Sequence, residues 1–175
     1  MSHPQLDRET ELMQTFEKNS SRLYSLAFLL TGDIDRSVEA FDKALDVDEP
    51  VRDGFMDEWA RRLVIVAALA TMERELLASI RRTLHRAVEE PSGYPSWKRR
   101  ARIARAEFEA AVLAIDPFPR CAMLLTVFEG MSIKLAAVLL HANEALTSVA
   151  QRLGIVQLTR NLAGDSIEPL YSGHE

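Results

Sequence analysis

Apolar residues return at three- and four-residue intervals along most of the chain, and no segment alternates as a half-buried strand would. Leu12, Phe16, Leu23, Leu26, Ala27 and Leu30 form one face of a first helix. Thr31-Gly32-Asp33 breaks it: Gly32 suits the left-handed position after a helix end, and Asp33 or Asp35 can cap the next helix. The second helix runs to about Asp46 with Val38, Phe41, Ala44 and Leu45 inward, and Asp48-Glu49-Pro50 ends it. The third is the longest, from Phe55–Trp59 towards Val88, with a stripe of Leu63, Val66, Ala67, Ala70, Leu77 and Ile80.

The pattern stops at Glu90-Pro91-Ser92-Gly93-Tyr94-Pro95-Ser96, where two prolines and a glycine disfavour a continuous helix. Beyond it a helix is expected over Ser96–Ala114, with Phe108, Ala111, Val112 and Ile115 inward near its end. Asp116-Pro117-Phe118-Pro119 turns the chain into a helix from Pro119 to Phe128, closed by Glu129-Gly130. Ser132 caps Ile133–Leu140, and Asn143 caps a last helix holding Leu146, Val149, Ala150 and Leu153. Gly154 either breaks that helix or lets it continue towards Leu162. The expectation is an all-α fold of two small helical domains, the second laid out as a helix-turn-helix. Residues 1–89 form the first domain, 90–98 a linker, 99–163 the second domain and 164–175 a flexible tail.

Composition narrows the class. The 175 residues are 47% hydrophobic with seven Gly and seven Pro, enough apolar material for helical cores. Cys121 is the only cysteine, so no disulfide forms within the chain, and its apolar flanks mark a buried hydrophobe. The N-terminus is polar and acidic where a signal peptide needs an apolar stretch. The longest apolar run, Leu63 to Ala70, falls far short of the roughly 20 residues of a membrane span. A cytoplasmic protein without membrane association is expected. The net charge of −5 is uneven: acidic before Arg61, basic from Arg61 to Ala110, mildly acidic afterwards. Overall acidity disfavours indiscriminate nucleic-acid binding, while the basic middle could meet a phosphate backbone or an acidic protein.

The search for catalytic chemistry returns little. His3, His85, His141 and His174 are scattered and make no zinc cluster, and there is no phosphate loop or nucleophile elbow. Asp46, Asp48 and Glu49 lack the spacing of a calcium loop and read as a solvated helix end. No enzyme, cofactor or metal is expected. Trp59 reads as core or domain-interface packing. Trp97, beside the basic run Lys98, Arg99, Arg100, Arg102 and Arg105, reads either as packing or as a partner contact. The run itself is either a solvated face or an electrostatic contact.

Three segments in order carry a family resemblance. Leu23-Tyr24-Ser25-Leu26-Ala27-Phe28-Leu29-Leu30-Thr31-Gly32-Asp33, continuing to Leu45, is the first. Trp59-Ala60-Arg61-Arg62-Leu63 and the helix behind it is the second. Ile115 to Leu140 is the third, with Pro117, Arg120, Leu124-Leu125, Phe128-Glu129-Gly130-Met131-Ser132 and Ala136-Ala137-Val138-Leu139-Leu140. Together they resemble the extracytoplasmic-function sigma factors, small bacterial RNA polymerase specificity subunits, over about four-fifths of the chain. The resemblance implies a region 2-like first domain, a region 4-like second domain and a role in transcription initiation. It implies RNA polymerase core and promoter DNA as partners, with an anti-sigma or other regulatory protein as a further one. Carried onto this sequence, polymerase contact falls to Glu39 and Asp42. DNA contact falls to Arg61 and Arg62, to Arg99, Arg100 and Arg102, and to Asn143, Ser148 and Arg152.

The departures define an alternative. Where the family has an Arg-Asn pair and later an Asp behind the tryptophan, this chain has Ile65, Val66 and Ala70, which cannot hydrogen-bond bases or phosphates. The last helix opens Asn143-Glu144-Ala145-Leu146-Thr147-Ser148-Val149-Ala150-Gln151-Arg152, with one cation and an acid that repels phosphate. His141 replaces the glycine usual where that turn asks for a positive φ. The alternative is a sigma-derived protein-interaction module that has lost promoter reading, its aliphatic replacements serving a protein partner or dimer.

Overall fold

A computed structural model describes residues 4–46, 56–86 and 103–163. Among them all regular structure is helical: α1 (Pro4–Thr31), α2 (Ile34–Leu45), α3 (Met56–Thr71), α4 (Glu73–Arg86), α5 (Arg105–Leu113), α6 (Pro117–Met123), a π-helical turn (Leu124–Phe128), α7 (Ile133–Leu139) and α8 (Glu144–Ala163). The linker at 90–98 and the tail at 164–175 lie outside the described residues.

Local chemistry sets the first boundaries. Gly32 takes φ +72 and its N–H bonds to Phe28 O, so it closes α1. Asp33 is extended, and its carboxylate accepts from Arg36 N at 2.9 Å, satisfying one open donor of α2. The long third helix expected from the sequence is in fact two. The N–H of Met72 bonds three residues back to Leu69 O, and Thr71 Oγ1 bonds Ala68 O, so the ladder tightens and restarts at Glu73.

Later boundaries also differ from expectation. Ala104 is extended and α5 begins at Arg105, while residues 96–102, where the sequence pattern opens this helix, lie outside the described residues. α6 begins two residues before Pro119, at Pro117, where a missing N–H costs nothing. Of the two outcomes left open at Gly154, the helix continues: the glycine lies buried inside a continuous 20-residue helix. A Cβ there would stand 2.5 Å from Pro119 O and 2.9 Å from Met123 Cβ, so the glycine lets α8 cross α6 at close range.

α1, α2 and α3 pack on one another, and α6 lies along α8 with α5 and α7 beside it. α6 also touches α1 and α4. The buried side chains of both halves form one continuous cluster, from Phe16 and Leu30 through Ile65 and Met72 to Phe118, Leu125, Leu140 and Ala150. Each fully buried leucine or phenylalanine contributes roughly 1.5–3 kcal/mol. Phe16 meets Phe41 edge-on at 5.4 Å, and Trp59 packs half-buried against the same cluster. Four residues expected to point inward are exposed instead: Val38, Val66, Ala70 and Leu77. They sit at the margins of their apolar stripes, where periodicity alone does not separate core from surface.

Polar contacts stitch the halves. Arg120, 4% exposed, donates through Nη2 to Leu30 O and Thr31 O, and through Nη1 to Leu113 O and Ile115 O. It therefore serves the carbonyl ends of α1 and α5 together, where partial negative charge gathers. Burial lowers the pKa of its guanidinium. The Ser79 hydroxyl, fully buried, accepts from Phe118 N and donates to Asp116, whose two oxygens also take a forked pair of bonds from Arg82. That Asp116 carboxylate raises the pKa of Arg82.

Candidate functional site

The α7–turn–α8 unit is built from caps at three points. Ser132 is extended and its Oγ accepts from Leu135 N at 3.2 Å, opening α7. At the other end Ala142 N bonds to Ala137 O and His141 N to Val138 O. These are the two bonds of a Schellman helix end, and they require a left-handed residue between the helix and its exit. His141 fills that place at φ +50. The positive φ expected in this turn is thus present on a non-glycine residue, at a cost of about 1 kcal/mol. Asn143 Oδ1 then accepts from Leu146 N at 2.8 Å and opens α8.

Along the first turns of α8, Leu146, Thr147 and Ala150 are buried against the bundle. Asn143, Glu144, Ala145 and Arg152 are exposed, and Ser148 and Val149 are half-buried. The outward face is small and neutral near its start, carries one acid, and meets its first cation at Arg152. Asn143 has its side-chain oxygen engaged in the cap.

The head of α3 holds Arg61 and Arg62. Arg62 is exposed, whereas Arg61 pairs with Glu129 at 2.5 Å, across to the turn before α7. Arg99, Arg100 and Arg102 lie outside the described residues. Glu39 and Asp42 are both exposed on α2, Glu39 in an i,i+4 pair with Lys43. Ile34 and Val38 share that side of the helix and are 63% and 46% exposed. The outer stripe of α2 is therefore mixed acidic and aliphatic. Behind it Arg36 bonds Glu75 of α4 at 2.6 Å; this bond raises the pKa of Arg36 and lowers that of Glu75.

Comparison of the chain with family models, with curated proteins and with solved structures returns no match.

The aliphatic side chains Ile65, Val66 and Ala70 behind Trp59 divide between two roles. Ile65 is wholly buried in the core, while Val66 and Ala70 are exposed. Those two line an open apolar groove of about 400 Å³ between α3, α4 and α7, with Leu69, Leu77, Val138 and His141 among its walls. Val138 is 65% exposed at its edge. The groove was not legible in the sequence, because α7 reaches it from the other half of the chain.

Cys121 is fully buried between α6 and α1, and burial pushes its thiol up to about 12. Such a thiol carries almost no thiolate near neutrality and is not a nucleophile. Among the described residues no group of three or more metal-ligating side chains converges, and no helix is long and apolar enough to cross a membrane.

Proposed function

We propose that this chain is a sigma-factor-like protein of transcription initiation, which docks on RNA polymerase core through the outer stripe of α2 and turns the helix-turn-helix of α7 and α8 towards promoter DNA. The observation that carries the reading is the α7–α8 unit: a capped helix, a left-handed exit at His141, and a second capped helix whose first side chains stay outside the bundle. The resemblance of Leu23–Leu45, Trp59–Leu63 and Ile115–Leu140 to the sigma family adds the polymerase side. The acidic and aliphatic stripe of Ile34, Val38, Glu39 and Asp42 supports it, because such a surface suits a basic, partly apolar protein face.

The test is co-elution of the purified chain with bacterial RNA polymerase core, followed by run-off transcription from a fragmented genomic template. Association is expected, with a roughly tenfold loss of affinity in Glu39→Lys combined with Asp42→Lys, the scale of reversing two charges at an interface. Failure to associate removes the reading.

The apolar groove favours a second reading, a sigma-derived module that works through protein contact alone. It occupies the surface where the sigma family is polar, and α8 brings only Arg152 to its outward face near the turn. Polymerase association without promoter-dependent transcripts would select this reading over the first.

A further inference from the structure

Glu129 stands at the turn before α7 and returns a carboxylate to the head of α3. Its Oε2 meets Arg61 Nη2 at 2.5 Å, and its side chain is 12% exposed against 34% for Arg61. The turn that carries it is fixed. Glu129 N bonds to Leu124 O across the π-helical turn, Met131 N bonds to Leu125 O, and Gly130 takes φ +67 between them. A guanidinium receives a carboxylate and a phosphate through the same planar donors. The carboxylate held here therefore fills the place that a nucleic-acid phosphate would take on Arg61, while the neighbouring Arg62 stays exposed.

We propose that Glu129 is an internal phosphate mimic: the turn before α7 withholds Arg61 from DNA, and binding along the head of α3 exchanges the Arg61–Glu129 pair for an Arg61–phosphate contact. The inference rests on the transcription reading above. It adds that the two DNA-facing elements compete with each other inside the free protein. Arg61 keeps about a third of its side-chain surface in water, so a phosphate can reach it and displace the pair, at a cost of about fivefold in affinity.

The test uses the full chain and two fluorescent probes, oligo(dT) and a mixed-sequence duplex, read by anisotropy between about 50 and 200 mM salt. Glu129→Gln is expected to bind about fivefold more tightly than the unaltered chain, with a salt dependence steeper by about one phosphate contact. Glu129→Asp, one methylene shorter, should fall between them. Arg61→Gln should abolish the gain, so that the double variant binds like Arg61→Gln alone. Equal binding by Glu129→Gln and the unaltered chain overturns the inference. So does a gain that survives in the Arg61→Gln background, which would be a general effect of removing negative charge, and so does the absence of binding by every variant. Circular dichroism of each variant checks that the helices are intact. Polymerase co-elution from the same preparations separates the two levels: association with no effect of Glu129→Gln removes only the mimic, and the Glu129→Gln gain without association removes only the polymerase role.

Discussion

At the scale of single residues, burial decides what the chemical groups can do. Cys121 lies beside Leu30 O, its sulfur 3.7 Å away, and is closed off from water. Its thiol ionises at about 12 in the fold, against an ordinary value of 9.0. The folded state therefore holds the proton more tightly than the unfolded chain. Its contribution is fully present below about pH 9 and is lost as pH rises towards 12. Urea titrations at stepped pH should show stability falling over that alkaline window, and Cys121→Ala should flatten the fall. Alkylation at neutral pH should require denaturant. The sequence already marked Cys121 as buried through its apolar flanks, because burial of a short apolar segment is a local property. His141 was not legible in that way: standing where the family has glycine it suggested a reshaped turn, whereas the structure keeps the positive φ on the histidine.

At the scale of elements, capping was legible and crossing was not. Gly32, Asp33, Ser132 and Asn143 act within four residues of themselves, so their roles follow from residue type and position. Gly154 shows the opposite case. Taken alone, a glycine inside a helical pattern weakens it, and the pattern offers no sign of a neighbour. The neighbour is Pro119, in a helix some 35 positions earlier, whose carbonyl would meet an added methyl at 2.5 Å. Gly154→Ala should therefore destabilise the protein by about 2–3 kcal/mol despite its better helix propensity, read as a lowered urea midpoint with unchanged slope. A stabilised variant would mean that α6 and α8 can part by the necessary distance without loss. The break at Met72 belongs to the same class. The apolar stripe runs through it without interruption, and only the backbone bond from Met72 to Leu69 reveals it.

At the scale of the whole molecule, Arg120 binds the ends of two helices that the sequence places far apart. Sequence reading placed it only as part of a family pattern, since its partners are backbone carbonyls, which every residue has. Arg120→Met keeps much of the side-chain bulk but leaves the carbonyls of Leu30, Thr31, Leu113 and Ile115 without those donors. A loss of about 3 kcal/mol is expected in urea unfolding. Helix signal and tryptophan fluorescence should shift together, because the guanidinium ties α1 to α5 within one buried cluster. The candidate contact residues came from a family pattern, not from the periodicity that marked the helices. Asn143, Ser148 and Arg152 fall at the start of and along α8, and Glu39 and Asp42 on α2, but it was the family resemblance that grouped them. The engagement of Arg61 by Glu129 joins positions on opposite sides of the proline-rich linker, and no local pattern announces it.

The Arg120 clamp also imposes an order on synthesis. Leu30 and Thr31 leave the ribosome about 90 residues before the side chain that binds their carbonyls. At translation speeds of roughly 5–20 residues per second, that interval lasts on the order of 5–20 s. Throughout it the carbonyls of Leu30 and Thr31 are without the guanidinium that later binds them. The nascent N-terminal helices thus wait in an unfinished state, and the chain acquires its final packing only when α6 emerges to close them.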